Sequence, residues 1–336
     1  MKILIYDDNP DFGGHQVMAC HGIEALAAEP SAEVVCLINP ANQKLAERLR
    51  GAGIPACPAQ EKMPPADLVL CIQGDIAQST KGIKTAKQAG IECASYIAIP
   101  HRMADMGAKL GALRDRLNQH RFNTPDRFIT ISKSMKQIML ERGCAKPISI
   151  VPNGIPAPGI QHQPSEPTTL GVIGRIEFNQ KQQDFMVRAF LNESAFKGCH
   201  LLLVGGGPDE AKLRTLVAGQ RNITLMPWQE DMEAIYEKID FLMIPSRYEG
   251  VPLVMLEALA RGIPVIASAR DGMKDLLPQN WTFDPGHADA LARTLQEVRA
   301  SWPNQIEPLR QHVLSAHSME AFKRNFIRKV AGINPE

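Results

Sequence analysis

The sequence runs SRYEGVPLVMLEA from residue 246 to residue 258, directly after the apolar segment FLMI. A helix is expected over residues 252–260, because proline favours the first turn, Gly262 follows the end and Pro264 blocks continuation. A buried strand, a loop and a helix in this order form the repeating unit of a parallel sheet covered by helices on both faces.

The same unit recurs along the whole chain. Short segments rich in Ile, Val and Leu alternate with longer segments of helical pattern. Strands are predicted at residues 2–6, 34–39, 68–72, 94–99, 128–131, 148–151, 170–173, 200–204, 223–226, 241–244 and 264–267. The alternation predicts two Rossmann-like, doubly wound α/β domains that face a central cleft. Ligands of such sheets bind outside the carboxyl ends of the strands.

A proline-rich segment separates the two sets of strands. Five prolines lie between residues 152 and 169, where no apolar periodicity survives. The predicted organisation is an N-terminal domain at residues 1–155, a linker at 156–168, a C-terminal domain at 169–312 and a helical C-terminal segment at 313–336.

Composition excludes several classes of protein. The 37 basic and 36 acidic residues nearly balance, so no nucleic-acid partner is expected. The seven cysteines are odd in number and form no C-x-x-C pair, which predicts free thiols in a reducing cytosol. The first apolar segment is too short for a signal peptide, and no segment approaches the ~18–20 apolar residues of a membrane span. A cytoplasmic protein is expected.

The opening stretch carries an anion-binding pattern. The first amides of the predicted helix lie near Val251 and Leu253, and a helix N-terminus attracts anions through its amides and its dipole. Glu249 and Glu257 flank this position. A carboxylate repels phosphate, so these two side chains are suited to accept hydrogen bonds from sugar hydroxyls. The alternative is that Glu257 is a solvated helix residue and Glu249 a capping acid.

A second pattern lies at the start of the C-terminal half. The predicted strand at 170–173 runs into Gly174-Arg175, and Lys181 follows six residues later. A glycine at a strand end lets the backbone approach a ligand closely. Arg175 and Lys181 could clamp a diphosphate, although isolated basic residues in loops are usually just solvated.

These two elements, in this order, resemble the GT4-type glycosyltransferases of the GT-B fold, also called glycosyl transferases group 1. Residues 150–155, IVPNGI, resemble the family's segment at the end of the first domain. Residues 202–208, LLVGGGP, resemble its strand and glycine turn in the second domain. The match is dense over residues 129–270 and sparse before them.

The resemblance implies a role for each site residue. The ribose is expected at Glu257, and the donor sugar at Glu249 and His101, which are the catalytic candidates. The resemblance, together with the helix N-terminus, predicts donor diphosphate contacts at Gly13, Gly14, Arg175, Lys181, Val251 and Leu253.

The implied activity is transfer of a hexose-type sugar from a UDP- or GDP-sugar to a hydroxyl acceptor, with retention of anomeric configuration. No cofactor and no metal are expected, since the chain has no Asp-x-Asp triplet and no His-Glu-x-x-His pattern. The final helix, expected over residues 318–330, is predicted to pack back on the N-terminal domain, as in the family. The chain departs from the family at Gln182 and at residues 271–275, where glycines are common.

Three alternatives remain open at this point. A nucleotide-sugar epimerase shares the fold. A dinucleotide-dependent oxidoreductase would use the glycines at 205–207, but Glu210 stands where Gly or Ala is required, and no acidic residue ends the next strand. An inactive binding protein is the third alternative.

A basic segment stands out in the first half. Residues 101–146 contain ten basic and four acidic side chains. Met103, Met106, Leu110, Leu113 and Leu117 recur within it at helical spacing. The favoured interpretation is a helix with its apolar face in the core and a solvated basic face. The alternative is a surface that attracts an anionic acceptor or an acidic membrane.

Overall fold

A computed structural model describes residues 1–59, 62–159, 162, 168–229 and 231–334. The chain divides into two compact units. The first unit comprises Met1–Gly154 together with Met319–Glu336, and the second unit comprises Ile155–Ser318. Most of the predicted linker, residues 160, 161 and 163–167, lies outside the described residues.

The first unit contains a seven-stranded parallel sheet. Its strand order is β3-β2-β1-β4-β5-β6-β7. The chain therefore adds strands on one side of β1 first, up to β3, and then on the other side, from β4 to β7. The strands are β1 Lys2–Asp7, β2 Glu33–Ile38, β3 Ala56–Pro58, β4 Leu68–Gln73, β5 Glu92–Ile97, β6 Arg127–Thr130 and β7 Ile148–Ile150. The central strands β1, β4 and β5 are almost wholly buried, which explains their continuous apolar sequences.

Helices connect these strands: α1 Gly14–Ala27, α2 Gln43–Gly51, α3 Thr80–Gln88, α4 Gly111–Asn118 and α5 Lys133–Glu141. The last helix of the chain, which is named below with the helices of the second unit, returns to this unit. The Phe326 ring lies 5.6 Å from the Tyr96 ring, edge to face. Arg127 donates to the carbonyls of Lys329 (2.9 Å) and Val330 (2.7 Å), which satisfies two carbonyls at the helix end.

The second unit contains a six-stranded parallel sheet of order β10-β9-β8-β11-β12-β13. Its strands are β8 Thr169–Ile173, β9 His200–Val204, β10 Ile223–Met226, β11 Phe241–Ile244, β12 Val265–Ser268 and β13 Thr282–Phe283. The remaining helices are α6 Phe178–Lys181, α7 Gln183–Asn192, α8 Glu210–Val217, α9 Glu233–Tyr236, α10 Leu253–Ala260, α11 Asp271–Leu276, α12 Ala288–Ala316 and α13 Met319–Ala331, the last of which belongs to the first unit.

The predicted fold class is confirmed, since each unit is a doubly wound parallel sheet of the Rossmann-like kind. Every predicted strand is present, with ends within two residues of the prediction. Two strands were not predicted, β3 and β13, because three exposed residues and a two-residue strand carry too little apolar pattern. The domain end predicted at residue 312 falls inside α12, so residues 313–318 belong to the second unit.

The prediction that the apolar residues of the basic segment form a core-facing side of a helix is wrong. Helix α4 begins only at Gly111, and Met103 is buried in the turn before it. Leu110, Leu113 and Leu117 are exposed instead. The core-facing positions of α4 are taken by other residues, described below.

All seven cysteines are free thiols, and six of them are buried. Cys57, on β3, is exposed. Among the described residues, no helix is both long and apolar enough to cross a membrane.

Gly22 should tolerate no side chain, because a Cβ there would lie 2.6 Å from the ring of Phe326. We expect Gly22→Ala to lower the free energy of unfolding by about 1–3 kcal/mol through overpacking. Urea unfolding of the purified chain measures this. Phe326→Leu in the Gly22→Ala background should recover part of the loss.

Gly51 is the matched control, because it also lies in a helix but a Cβ there would have no neighbour within 4 Å. Gly51→Ala should be neutral or slightly stabilising, as alanine favours helix. Equal losses for the two alanine variants would contradict the packing of α13 on α1.

Candidate functional site

The strand order of the second sheet reverses between β8 and β11. The chain leaves β8 toward β9 on one side and later enters β11 on the other, so the loops after β8 and β11 diverge and open a crevice at the carboxyl edge. The loop after β8 carries Gly174, Arg175 and, one turn of helix later, Lys181. The loop after β11 carries Ser246 and Glu249. The two predicted motifs therefore meet at one edge of one sheet.

Lys181 and Glu249 are joined directly across this crevice. The Lys181 Nζ contacts the Glu249 Oε1, and the Ser246 hydroxyl donates to the same oxygen over 2.9 Å. The Glu249 side chain is 7% exposed and the Lys181 side chain 23%. A carboxylate this buried requires partners for its charge, and these two residues supply them.

Two loops at this edge of the sheet pack against each other through their backbone atoms. The carbonyl of Gly174 would lie 1.9 Å from a Cβ at Gly205, and the carbonyl of Ile176 would lie 2.4 Å from a Cβ at Gly207. The loops after β8 and β9 are therefore in main-chain contact, which is possible only for glycine. This packing explains the glycines at 205 and 207 without a bound dinucleotide.

Two departures from the family pattern lie at strained backbone positions. Gln182 has φ +56° and Asp271 has φ +49°, in the left-handed region that favours glycine. Asp271 offsets this strain with a contact: its Oδ2 accepts from the Glu249 amide over 3.0 Å. Gly272 beside it lies so close to the Gly250 carbonyl that a Cβ would approach within 2.3 Å. The turn at 271–272 thus supports the loop that holds Glu249.

Arg175 is placed differently from Lys181. Its side chain is mostly exposed, and its Nε lies 3.5 Å from a Glu177 oxygen. The buried side chain of Gln183 supports this loop, since it donates to the Arg175 carbonyl (2.8 Å) and accepts from the Glu177 amide (3.3 Å). The loop is therefore held by its backbone, while the Arg175 guanidinium extends into solvent.

Helix α10 begins at Leu253, with Pro252 as the residue before it and Val251 buried in the preceding turn. Further along the helix, the Glu257 Oε2 accepts from the Tyr236 hydroxyl over 2.5 Å. Burial and the adjacent Glu257 carboxylate raise the pKa of Tyr236 well above its usual value, so the phenol stays a donor. Arg261 stacks over the Tyr236 ring at 4.4 Å and donates to the Glu257 carbonyl. These contacts fix the orientation of Glu257.

The first unit has its own reversal of strand order, between β1 and β4. Gly13 precedes α1, and its amide donates to the Gln16 Oε1 over 2.7 Å. The Gln16 Nε2 in turn donates to the Asp7 Oδ2 over 2.7 Å. Burial raises the pKa of Asp7 to about 6, although the hydrogen bonds that Asp7 accepts from Gln16 and from the Asn9 amide oppose the shift. Gly14 opens the helix and is exposed, whereas Gly13 before it is half-buried.

His15 lies at the same edge. A Cβ on Gly74, which follows β4, would approach the His15 Cε1 within 2.9 Å. Burial lowers the pKa of His15 to about 4, so the ring is neutral at physiological pH. Its Nε2 is buried and has no hydrogen-bond partner among the described residues. The sequence pattern placed His15 in a glycine loop without assigning it a role.

His101 is buried, four residues beyond β5. The carbonyls of Pro100 and His101 both accept from the Arg142 Nη1, over 2.9 Å and 2.5 Å. Arg142 belongs to the basic segment but is buried, and it pairs with Asp115 at 2.6 Å. It is therefore a structural residue that anchors the backbone at His101.

The structure unites only part of the predicted site. Lys181 contacts Glu249, whereas Glu257 contacts Tyr236 and Arg175 extends into solvent. Sequence reasoning missed the supporting residues, because a serine, a glutamine or a tyrosine distant in sequence carries no motif. They are Ser246, Gln183, Tyr236 and Asp271. The predicted ligand roles of all the site residues stay predictions: Gly13, Gly14, His101, Arg175, Lys181, Glu249, Val251, Leu253 and Glu257.

Within the part of the chain that the structure describes, no group of three His, Cys, Asp or Glu side chains could hold a metal ion. Metal independence stays a prediction for the activity itself.

Comparison with known proteins gives a consistent result. Residues 167–300 match the family model of the glycosyl transferases group 1. The chain is 28% identical over 226 residues to a lipopolysaccharide 1,6-galactosyltransferase of Escherichia coli, covering 62% of this chain and 57% of that protein. It is 26% identical over 166 residues to a glycosyltransferase of Haemophilus influenzae, covering 46% and 45%. The matched region thus spans about half the length of these curated relatives.

Solved structures match over almost the whole chain. A lipopolysaccharide outer core galactosyltransferase, WaaB in its apo form, has a TM-score of 0.76 at 19% identity and covers 99% of both chains. HepE of Anabaena in complex with UDP has a TM-score of 0.80 at 14% identity, covering 99% of this chain and 100% of that one. These structures have the GT-B fold, and the likeness establishes that fold here.

Asp7 should make stability depend on pH. Its carboxyl has a pKa of about 6 when folded against 3.8 unfolded, so the folded state binds the proton more tightly and stability falls as pH rises through that window. We expect Asp7→Asn to gain up to about 3 kcal/mol relative to the parent chain between pH 4 and pH 7. Urea unfolding of both proteins across this range gives the difference.

The difference between the two proteins is the correct readout, because His15 acts in the opposite direction. Its depressed pKa removes stability as pH falls from 6.5 toward 4, in parent and variant alike. Asp11→Asn, at an exposed position nearby, is the control. A pH-independent difference for Asp7→Asn would contradict the assignment.

Proposed function

We propose that this chain, whose residues 167–300 match the glycosyl transferases group 1 and which has the GT-B fold, transfers a sugar from a nucleoside-diphosphate sugar to a hydroxyl acceptor. The observation that carries the proposal is the meeting of Lys181, Ser246 and Glu249 at the reversal of strand order in the second sheet. An ammonium and a buried carboxylate at this edge suit a ligand that has both phosphates and hydroxyls.

The donor diphosphate is assigned to the Lys181 side. Lys181 lies against the end of β8, where its Cε would be 4.0 Å from a Cβ on Gly174. A diphosphate at this edge would compete with Glu249 for the ammonium and release part of that ion pair. The amides at the start of α10 and the exposed Arg175 guanidinium would add further positive charge.

Glu249 and Glu257 are proposed to bind the uncharged hydroxyl groups of the donor, on its sugar and its ribose. Glu249 is held by Ser246 and its own amide by Asp271, so it is positioned to accept from a sugar hydroxyl. Glu257 is oriented by Tyr236 through Oε2, and its Oε1 is the atom proposed to accept from the ribose. Hydrogen bonds to a charged acceptor are stronger than neutral ones, which favours these roles for carboxylates.

The chemical step follows from the donor class. The bond from the sugar C1 to the phosphate oxygen breaks, the nucleoside diphosphate leaves, and the acceptor oxygen bonds to C1 as its hydroxyl loses a proton. Charge develops on the leaving diphosphate, where Lys181 and the helix amides can stabilise it without a metal ion. We assign no carboxylate of the described residues as a nucleophile, and we propose attack from the face that the leaving group vacates, with retention of configuration.

A UDP-hexose is the first donor to test. HepE, with which this chain shares its fold, was solved with UDP and with UDP-glucose, and two relatives in sequence are galactosyltransferases. Calorimetry with UDP, GDP and NADH then separates the proposed activity from the oxidoreductase alternative, since NADH should not bind.

Lys181→Ala should weaken UDP binding by roughly ten- to a hundred-fold, because it removes a charge-assisted bond to phosphate and leaves the Glu249 charge unopposed. Isothermal calorimetry measures the affinity. Lys197→Ala, at an exposed lysine of the same unit, is the control and should change the affinity by less than about two-fold. Unchanged affinity in Lys181→Ala would remove this residue from the site.

Glu249→Gln distinguishes the two halves of the donor in the same experiment. It keeps an acceptor for the Ser246 hydroxyl and removes the carboxylate charge that competes with a diphosphate for Lys181, so turnover should fall while the affinity for UDP is kept or rises. A thermal melt of both variants guards against unfolding, because breaking a partly buried ion pair also lowers stability.

Transfer should retain the anomeric configuration and survive removal of metal ions. We expect the product of an active UDP-sugar and acceptor pair to show the donor's anomer by NMR, at rates unchanged by EDTA. An inverted anomer would overturn the proposed direction of attack. Turnover lost in EDTA and restored by Mg²⁺ or Mn²⁺ would overturn metal independence.

A further inference from the structure

Helix α4, Gly111–Asn118, packs on the first unit with its polar side. The buried or half-buried side chains of this helix are Asp115 and Asn118. Asp115 accepts from the amides of Met103 (2.9 Å) and Ala104 (3.1 Å) and from the Arg142 guanidinium (2.6 Å). These bonds hold one face of α4 against the unit.

Leucines occupy the opposite side. Leu110, Leu113 and Leu117 are 75%, 53% and 63% exposed. The spacing of four residues places Leu113 and Leu117 on one side of the helix, and Leu110 immediately precedes the helix. We call these three residues the leucine face. The arrangement is the reverse of an ordinary surface helix, which buries its apolar side and exposes its polar side.

Two backbone features hold the leucine face outward. Leu110 has φ +53°, a strained conformation for a residue other than glycine, and it immediately precedes the helix. A Cβ on Gly111 would lie 2.5 Å from the backbone of Ala104, so the start of the helix is pressed against the preceding turn. The helix cannot rotate to bury its leucines without breaking the Asp115 bonds and this contact.

Basic side chains border the leucine face. At 100° per residue, Arg114 lies on one side of Leu113 and Leu117 and Arg116 lies on the other, while Lys109 lies in the turn before the helix. All three are exposed. The one acidic residue of the helix, Asp115, is turned inward and paired with Arg142. The exposed surface of α4 is therefore apolar at its centre and positively charged at both margins.

We propose that the leucine face and its basic margins form a docking surface for an anionic lipid membrane. Charge complementarity selects this occupant: negative headgroups meet Lys109, Arg114 and Arg116, while the leucines enter the boundary between headgroups and acyl chains. A second copy of the chain would bring the same three positive side chains toward each other, which disfavours a symmetric dimer through this surface. None of the residues of this surface is a residue of the proposed nucleotide site.

The test is co-sedimentation of the full chain with vesicles of phosphatidylcholine alone or mixed with phosphatidylglycerol. Binding should require phosphatidylglycerol and should weaken as salt is raised. Leu113→Ser/Leu117→Ser should lower the partition coefficient by about a hundred-fold, at roughly ten-fold for each leucine. Because both side chains are exposed, thermal melts should show an intact fold.

Matched controls separate the surface from general effects. Leu140→Ser/Leu191→Ser removes two other exposed leucines and should bind like the parent chain. Arg114→Glu/Arg116→Glu should lower binding to anionic vesicles, whereas Arg50→Glu/Lys84→Glu, with the same change in net charge, should affect it much less. Affinity for UDP, measured separately, should be equal in all four variants, so failure of the nucleotide proposal is read from a different experiment.

Three results would overturn the proposal. One is equal, negligible sedimentation of the parent chain with neutral and anionic vesicles at low salt. Another is parent-like binding by the Leu113→Ser/Leu117→Ser variant. The third is a concentration-dependent dimer that this variant abolishes, seen by analytical ultracentrifugation without vesicle binding, which would assign the leucine face to a second copy.

Discussion

The ion pair between Lys181 and Glu249 is the contact on which the candidate site depends. The two residues are 68 positions apart in sequence. They meet because β8 and β11 are neighbouring parallel strands, so the loops that follow them begin side by side at the same edge of the sheet. Glu249 is almost fully buried, so its charge must be matched locally. Ser246 completes the arrangement from the same loop. A ligand with phosphates would share Lys181 with Glu249, which couples occupation of the site to the position of that carboxylate.

Backbone conformation maintains this geometry. Gly205 and Gly207 let two loops touch through their main chains, at distances that no side chain at these two positions would permit. Elsewhere the chain accepts strain in place of glycine, at Gln182 and Asp271. Both lie beside the ion pair, one directly after Lys181 and the other bonded to the Glu249 amide. Strain at these positions persists because the surrounding contacts over-determine the local structure, as is common near functional sites.

The two units use the same topology for different local purposes. In the first unit, the corresponding edge holds Asp7, Gln16 and His15, and burial shifts the pKa of both Asp7 and His15. The same unit anchors Arg142 beneath His101 and turns the polar side of α4 inward. The leucines of α4 are exposed as a consequence of how that polar side is satisfied.

Local pattern was sufficient for the elements. Apolar runs located the strands, and the Pro252, Gly262 and Pro264 signals located α10, because these depend on residues close together in the chain. The order of the motifs was likewise enough to place Arg175, Lys181, Glu249 and Glu257 in one unit. The short strands β3 and β13 were not predicted, since their sequences carry little apolar pattern.

Tertiary structure alone decided which of these side chains meet. Lys181 pairs with Glu249, whereas Arg175 faces solvent and Glu257 depends on Tyr236, because each partner comes from a different loop or helix of the sheet. It also reversed the interpretation of the stripe at 110–117. Helical spacing places Leu113 and Leu117 on one face but does not say which face the unit buries. Here the unit buries the face of Asp115, which bonds to Arg142 and to two backbone amides.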